Sequence, residues 1–304
     1  MAIAALPFSP FQYPAFRLSS IARVFSNLAV QAESVTIGWQ VYNVARETRS
    51  VEQSAFLLGV VGLAQFVPLL LLTLIAGATA DRCDRRTIMS VCTGVEIACV
   101  LALARLSLHP RLIPVFIVAS MFGASRAFLS PARGALGPML VPREALPRAI
   151  SRNSLGDQAA SMIGPWIGGA LCALSPMAAY LGAAVLSSVS MAALLLIEAN
   201  TLPERRPGSR WEQIREGIHY VWTNKIVLGA ISLDLFAVLL GGASALLPVF
   251  ASDVLKAGAR GFGMRRSGPA IGAALMALAL SRWPLRRWAG RWMFGSVGAF
   301  ALRR

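Results

Sequence analysis

Apolar runs of about 20 residues recur along the chain, separated by short basic connections, and that length as a helix spans a hydrocarbon core of about 30 Å. A helix satisfies its own backbone hydrogen bonds, so a chain built this way needs no sheet to survive in lipid. Composition agrees. Of 304 residues, 56% are hydrophobic and only 14% charged, and the mean hydropathy is +0.61. A soluble domain of this length needs more charge to cover its surface. The sequence therefore implies an all-α polytopic membrane protein.

The formal charge of +15, from 29 Lys and Arg against 14 Asp and Glu, raises nucleic acid as a partner. The basic residues occupy connections between apolar runs rather than one stripe, which is a topology signal. Nucleic acid is set aside on that ground, and the lipid bilayer is the expected partner. Cys92, Cys99 and Cys172 lie inside apolar runs and Cys83 in a basic connection, without C-x-x-C spacing, so they read as small packers. No charged region precedes the first apolar stretch, so that stretch is expected to stay as the first helix of the bundle.

The expected helices are residues 16–44, 55–78, 87–106, 112–130, 146–174 and 177–199, then 226–250 and 262–280 after a hydrophilic segment at 200–224. In that segment Ser209 and Glu212 fit a capping box. Trp211, Ile214, Ile218 and Trp222 recur near helical spacing, which predicts an amphipathic helix in the membrane interface. Past residue 280 a basic loop leads into 292–302, whose eleven residues reach roughly 16 Å as a helix, about half a bilayer core. The reading is a six-helix unit at 1–199, a linker at 200–225, and a partial second unit at 226–304 with two spans and a fragment. The connections holding Arg82, Arg85, Arg86, Arg133, Arg143, Arg148 and Arg152 are much richer in positive charge than the opposite set. That side is expected in the cytoplasm, with the N-terminus.

Between the second and third spans stands Gly77-Ala78-Thr79-Ala80-Asp81-Arg82-Cys83-Asp84-Arg85-Arg86. Gly77 permits a close helix approach, Asp81 can accept from Arg or exposed N–H groups, and the arginines hold the loop at the cytoplasmic face. The pattern resembles the G-x-x-x-D-R-x-x-R-R signature of the major facilitator superfamily, in the loop where that family carries it. Ser130-Pro131-Ala132-Arg133, followed by Pro138 and Leu140-Val141-Pro142-Arg143-Glu144, looks like the connection between spans four and five in the superfamily's enterobactin-exporter-like branch. Gly164-Pro165-Trp166-Ile167-Gly168-Gly169 resembles the G-P-x-x-G-G core of a motif found in its antiporters, with Ala160 where that motif has Gly. The resemblance covers about residues 16–290.

What the resemblance implies is a major-facilitator-type six-helix N-terminal half plus an incomplete second half, cut short of the family's twelve spans. It implies a secondary active transporter, not an enzyme: proton-coupled efflux of a small amphiphilic molecule or siderophore across a bacterial inner membrane, with no cofactor beyond the proton gradient. A truncated, inactive remnant and a membrane scaffold subunit that assembles with another chain are the alternatives.

A charge in a membrane helix costs about 2.5–3.5 kcal/mol on insertion scales, so each asks for a reason. On the first helix Asn27, Gln31, Ser34 and Gly38 form one stripe, and Glu33, Thr36 and Gln40 another. One stripe is expected at a central cavity and the other against a partner helix. Glu33 is the first candidate for a proton or substrate site, with a structural acid as the alternative. Arg126 and Asp157 fall at comparable depth on adjacent helices, which predicts an ion pair between them or a partnership of Arg126 with Glu33. Asp234 is the deep acid of the second unit and a candidate for proton coupling or cavity lining, and Glu96 is a weaker one.

Overall fold

The structure is a computed structural model that describes residues 9–108 and 111–199, together with residues 221–225, 227–229, 232 and 272. The interfacial helix expected over 200–224 lies almost wholly outside the described residues. So do Asp234, the two later spans and the fragment after them.

Six long helices follow one turn of 3-10 helix at Pro10–Gln12: α1 (Pro14–Arg46), α2 (Val51–Ala80), α3 (Arg85–Leu106), α4 (Leu112–Met139), α5 (Leu146–Cys172) and α6 (Pro176–Leu195). Local chemistry sets their starts. Ser50 and Ser175 accept from the N–H groups of Gln53 and Ala178, and Asp84 accepts from that of Arg86, so each serves as the N-cap of α2, α6 or α3. Pro at the first or second position opens α1, α5 and α6, where its missing N–H removes no helical bond.

The largest departure from the sequence reading is α4. The sequence reading ends it at residue 130, yet it runs to Met139 with Pro131 and Pro138 inside. Proline costs a helix one ladder bond and bends it, and a membrane helix tolerates this because the surrounding bundle constrains it.

Packing follows a two-fold pattern. The dominant neighbours are α1 with α5 and α6, α4 with α2 and α3, and α3 with α6. Exchanging the first three helices for the last three turns α1–α5 into α4–α2 and α1–α6 into α4–α3, and leaves α3–α6 unchanged. That is the arrangement expected of an internal three-helix repeat. Both central seams close on glycine. A Cβ on Gly168 of α5 would stand 2.6 Å from the Cα and O of Ala32 on α1, and one on Gly123 of α4 would overlap the backbone of Gln65 on α2. Small residues of this kind let membrane helices touch by backbone.

Two apolar cores fill the bundle. One joins Val41, Tyr42, Leu103, Phe122 and Tyr180; the other joins Phe16, Ile88, Leu129, Leu136 and Leu194. Between them, on the same helices, lies a layer that is buried but polar: Ser26, Glu33 and Thr36 of α1, Thr93 and Glu96 of α3, Ser125 of α4, Ser187 and Ser190 of α6. Outside, α2 exposes Phe56, Leu63, Leu70, Leu71 and Leu74, a surface suited to hydrocarbon.

Among the described residues, α2, α3, α4 and α6 are long and apolar enough to cross a membrane. Helices α1 and α5, of 33 and 27 residues, are long enough but more polar. They pack on one another. We expect Gly168→Val to destabilise the protein in detergent by about 1–3 kcal/mol through overpacking against α1. Gly59→Ala, with nothing within 4 Å of its added carbon, should leave the thermal midpoint unchanged or higher.

Candidate functional site

A ladder of polar side chains joins α1 and α5. Ser20 Oγ donates to Asn153 Oδ1 at 3.2 Å, Asn27 Nδ2 to Asp157 Oδ1 at 3.3 Å, and Gln31 Nε2 to Ser161 Oγ at 3.3 Å. At its centre Arg23 grips Asp157, with Nη2 2.6 Å from Oδ2 and Nε 3.0 Å from both oxygens. Asp157 therefore pairs with Arg23, and the expected Arg126–Asp157 pair does not form. Helix α5 lays Asp157 against α1, whereas α4 and α5 make little contact.

Arg23 escaped the sequence reading, although the signal was there. It stands one turn before Asn27 on the stripe that also holds Gln31, and the opposing stripe Asn153, Asp157, Ser161 repeats every four residues. The stripe ends in glycines. A Cβ on Gly164 would stand 2.5 Å from Cβ of Gln31, and Gly168 abuts Ala32. The Gly164-Pro165-Trp166-Ile167-Gly168-Gly169 stretch thus continues the polar ladder as a backbone-close seam, with Gly164, Pro165, Gly168 and Gly169 all buried.

The second stripe of α1 enters the buried polar layer. Glu33, 2% exposed, faces Arg126 of α4, whose Nη2 is 3.6 Å from its Oε1. This is the alternative partnership anticipated for Arg126. Arg126 also donates from Nη1 to Gln65 Oε1 of α2 at 3.2 Å and stacks its guanidinium 5.9 Å from the ring centre of Phe122. Two turns further along α4, Arg133 donates from Nη2 to Ser26 Oγ at 2.6 Å. Glu96, also 2% exposed, interacts electrostatically with Arg126, Arg133 and Glu33. Two carboxylates and two guanidinium groups thus share one buried site, a neutral set when both acids are ionised. Their bonding is incomplete. Oε1 of Glu33, Oε1 of Glu96, Nε and Nη2 of Arg126, and Nε of Arg133 have no hydrogen-bond partner.

The loop signature sits at the far end of the bundle. Asp81 closes α2, its N–H donating to Gly77 O at 3.1 Å, and its side chain is exposed along with Arg82. Among the described residues, nothing lies within 4 Å of where a Gly77 Cβ would be. Arg85 reaches Sδ of Met139 at 3.1 Å and Arg86 donates to Leu195 O at 2.5 Å, bracing the loop against the C-terminal ends of α4 and α6. Cations at those ends are favoured by the helix dipole.

With this geometry in view, the comparisons are decisive on family. The family model described as "Transmembrane secretion effector" matches residues 5–301. The chain belongs to that family, within the major facilitator superfamily. Enterobactin exporter EntS from Shigella boydii serotype 18 and from Escherichia coli O1:K1 are each 26% identical to it over 269 residues, covering 88% of this chain and 63% of theirs. The chain thus spans somewhat less than two thirds of the length of these relatives. Among solved structures, a mutant of the nucleoside transporter NupG superposes with a TM-score of 0.66 at 14% identity, covering 90% of this chain and 69% of that one. A D-xylose–proton symporter does so with 0.59 at 12% identity, over the same shares. These two show the fold alone. The relatives and structural neighbours are transporters and not enzymes.

The transporter family's all-helical fold gives Arg23 and Asp157 a structural test. Each replaced by Ala should lower stability, and a double-mutant cycle should return a coupling of about 1–2 kcal/mol, below that of a fully buried pair because both side chains are partly exposed.

Proposed function

We propose that the chain supplies the N-terminal half of a proton-driven exporter of a small amphiphilic molecule or siderophore in a bacterial inner membrane, with its N-terminus in the cytoplasm. The observation that carries this reading is the pair of buried carboxylates, Glu33 and Glu96, facing the part-buried Arg126 and Arg133 between two apolar cores. Ionisable groups at that depth are expensive and mark proton or substrate pathways. The resemblance to an enterobactin exporter supports the substrate class, and the arginine-rich connections support the orientation.

In this account the ionised Glu33 holds Arg126 through the 3.6 Å pair. A proton on Glu33 removes that hold, and Arg126, tethered by Gln65, is left to attract an anionic or acceptor-rich substrate. Binding and protonation then compete for one guanidinium, which is the thermodynamic core of antiport. Alternating access would rock this six-helix unit as a body, the Arg23–Asp157 ladder and the glycine seam keeping α5 fixed to α1. Asp81, Arg82, Arg85 and Arg86 would set the cytoplasmic end of that motion, and Asp234 of the second unit is a further candidate for the coupling path. No cofactor is invoked.

The test is efflux of enterobactin from cells or inverted vesicles, with and without an uncoupler. Glu33→Gln should cut uncoupler-sensitive efflux by at least about tenfold, while Glu198→Gln at an exposed position past the end of α6 should not. A membrane scaffold that assembles with another chain is the rival. Stable insertion with no efflux by the unaltered protein would favour it.

A further inference from the structure

The face of α1 that carries Glu33 continues outward in steps of seven residues, to Gln40 and then Glu47. Each step rises about 10.5 Å along the axis. Glu47 is exposed at the end of α1 remote from the arginine-rich loop, and Gln40 is 4% exposed. Between them a cleft of about 110 Å³ opens, lined by Trp39, Gln40 and Asn43 of α1, Glu47 just past its end, Ser107 after α3 and Pro176 of α6. It is large enough for several water molecules and polar enough to hold them.

The inner end of that cleft is unusual. Gln40 accepts from the hydroxyl of Tyr180 at 2.5 Å through Oε1, but its Nε2 is buried with no partner. Two turns deeper, Oε1 of Glu33 is buried and accepts no hydrogen bond. Thr36 lies between them, fully buried, its hydroxyl donating to Ala32 O at 2.9 Å and so keeping its lone pairs to accept. A stranded donor and a stranded acceptor, about 10 Å apart on one helix face with a hydroxyl between, fit a file of roughly three waters at hydrogen-bond spacing.

We propose that protons reach Glu33 from the outer surface through this cleft, along Glu47, Gln40, Tyr180 and Thr36 between α1, α3 and α6. The route lies on the side of α1 facing α3 and α6, away from the seam with α5. It rests on the reading of Glu33 as the coupling acid, and it adds where the proton comes from. The step is a simple transfer. A proton from outside water passes along the file to the Glu33 carboxylate, giving the carboxylic acid, and the Arg126 guanidinium keeps its charge and its bond to Gln65 but loses the Glu33 anion. The charged and titratable groups facing Glu33 are Arg126 on α4, Glu96 and Cys99 on α3, and Tyr180 on α6. On the neighbouring seam Asp157 of α5 is held by Arg23, and α2 contributes the neutral Gln65.

The experiment follows the carboxyl band of Glu33 by infrared spectroscopy on the full chain in lipid bilayers, identified by its loss in Glu33→Gln, and times its shift after transfer to heavy water. Tyr180→Phe keeps the ring in the core but removes the relay hydroxyl. Asn43→Leu plugs the lip of the cleft without touching the core. Each should slow the exchange at least about tenfold in protein that remains folded, while Gln31→Leu on the α5-facing stripe should not. Exchange as fast in both cleft variants as in the unaltered protein would overturn the route and leave Glu33 as the coupling acid. Absence of any band lost in Glu33→Gln, across the accessible pH range, would overturn both.

Discussion

Charge in hydrocarbon is the constraint on which this architecture depends. Every ionisable side chain in the bundle must find a partner inside the protein, and helix α1 carries more of them than a lone span could hold. The structure answers with two different solutions on two faces of one helix. Toward α5, Arg23 and Asp157 meet bidentately and are flanked by amide and hydroxyl pairs, so that seam is closed. Toward α3 and α4, Glu33 meets Arg126 only at 3.6 Å and several buried polar atoms stay unpaired. A closed seam suits a joint that must not move. An open one suits a site that changes its protonation or its ligand.

The same division explains the placement of glycine. Gly164 and Gly168 bring α5 onto the backbone of α1, and Gly123 brings α4 onto α2, so the two central helices are locked to their partners by contact that no side chain could replace. What remains for chemistry is the layer between the two apolar cores. Its polar groups sit at mid-depth, where the cost of burial is greatest and where transporters of this build bind their cargo.

Much of this was legible in the sequence. Run lengths gave the six helices with ends shifted by up to four residues, apart from α4, which continues nine residues past its expected end with Pro131 and Pro138 inside it. The Glu33–Arg126 partnership was one of two open readings, because helical spacing fixes which face a residue takes. Spacing does not say which helices touch, and Asp157 was offered to Arg126 when its neighbour is α1 and its partner Arg23. The sharing of Arg126 and Arg133 by Glu96 depends on three helices meeting, which no single periodicity can reveal.

The central claim is that the half-paired cluster is a proton site and not a brace. Carbon-13 magnetic resonance of labelled glutamate carboxyl groups, recorded through a pH titration in bilayers, addresses it most directly. The account predicts one buried resonance that switches between its acid and carboxylate positions within the range a bacterial cell experiences, and that is missing from Glu33→Gln. A Glu33 resonance that keeps one position throughout that range would contradict it.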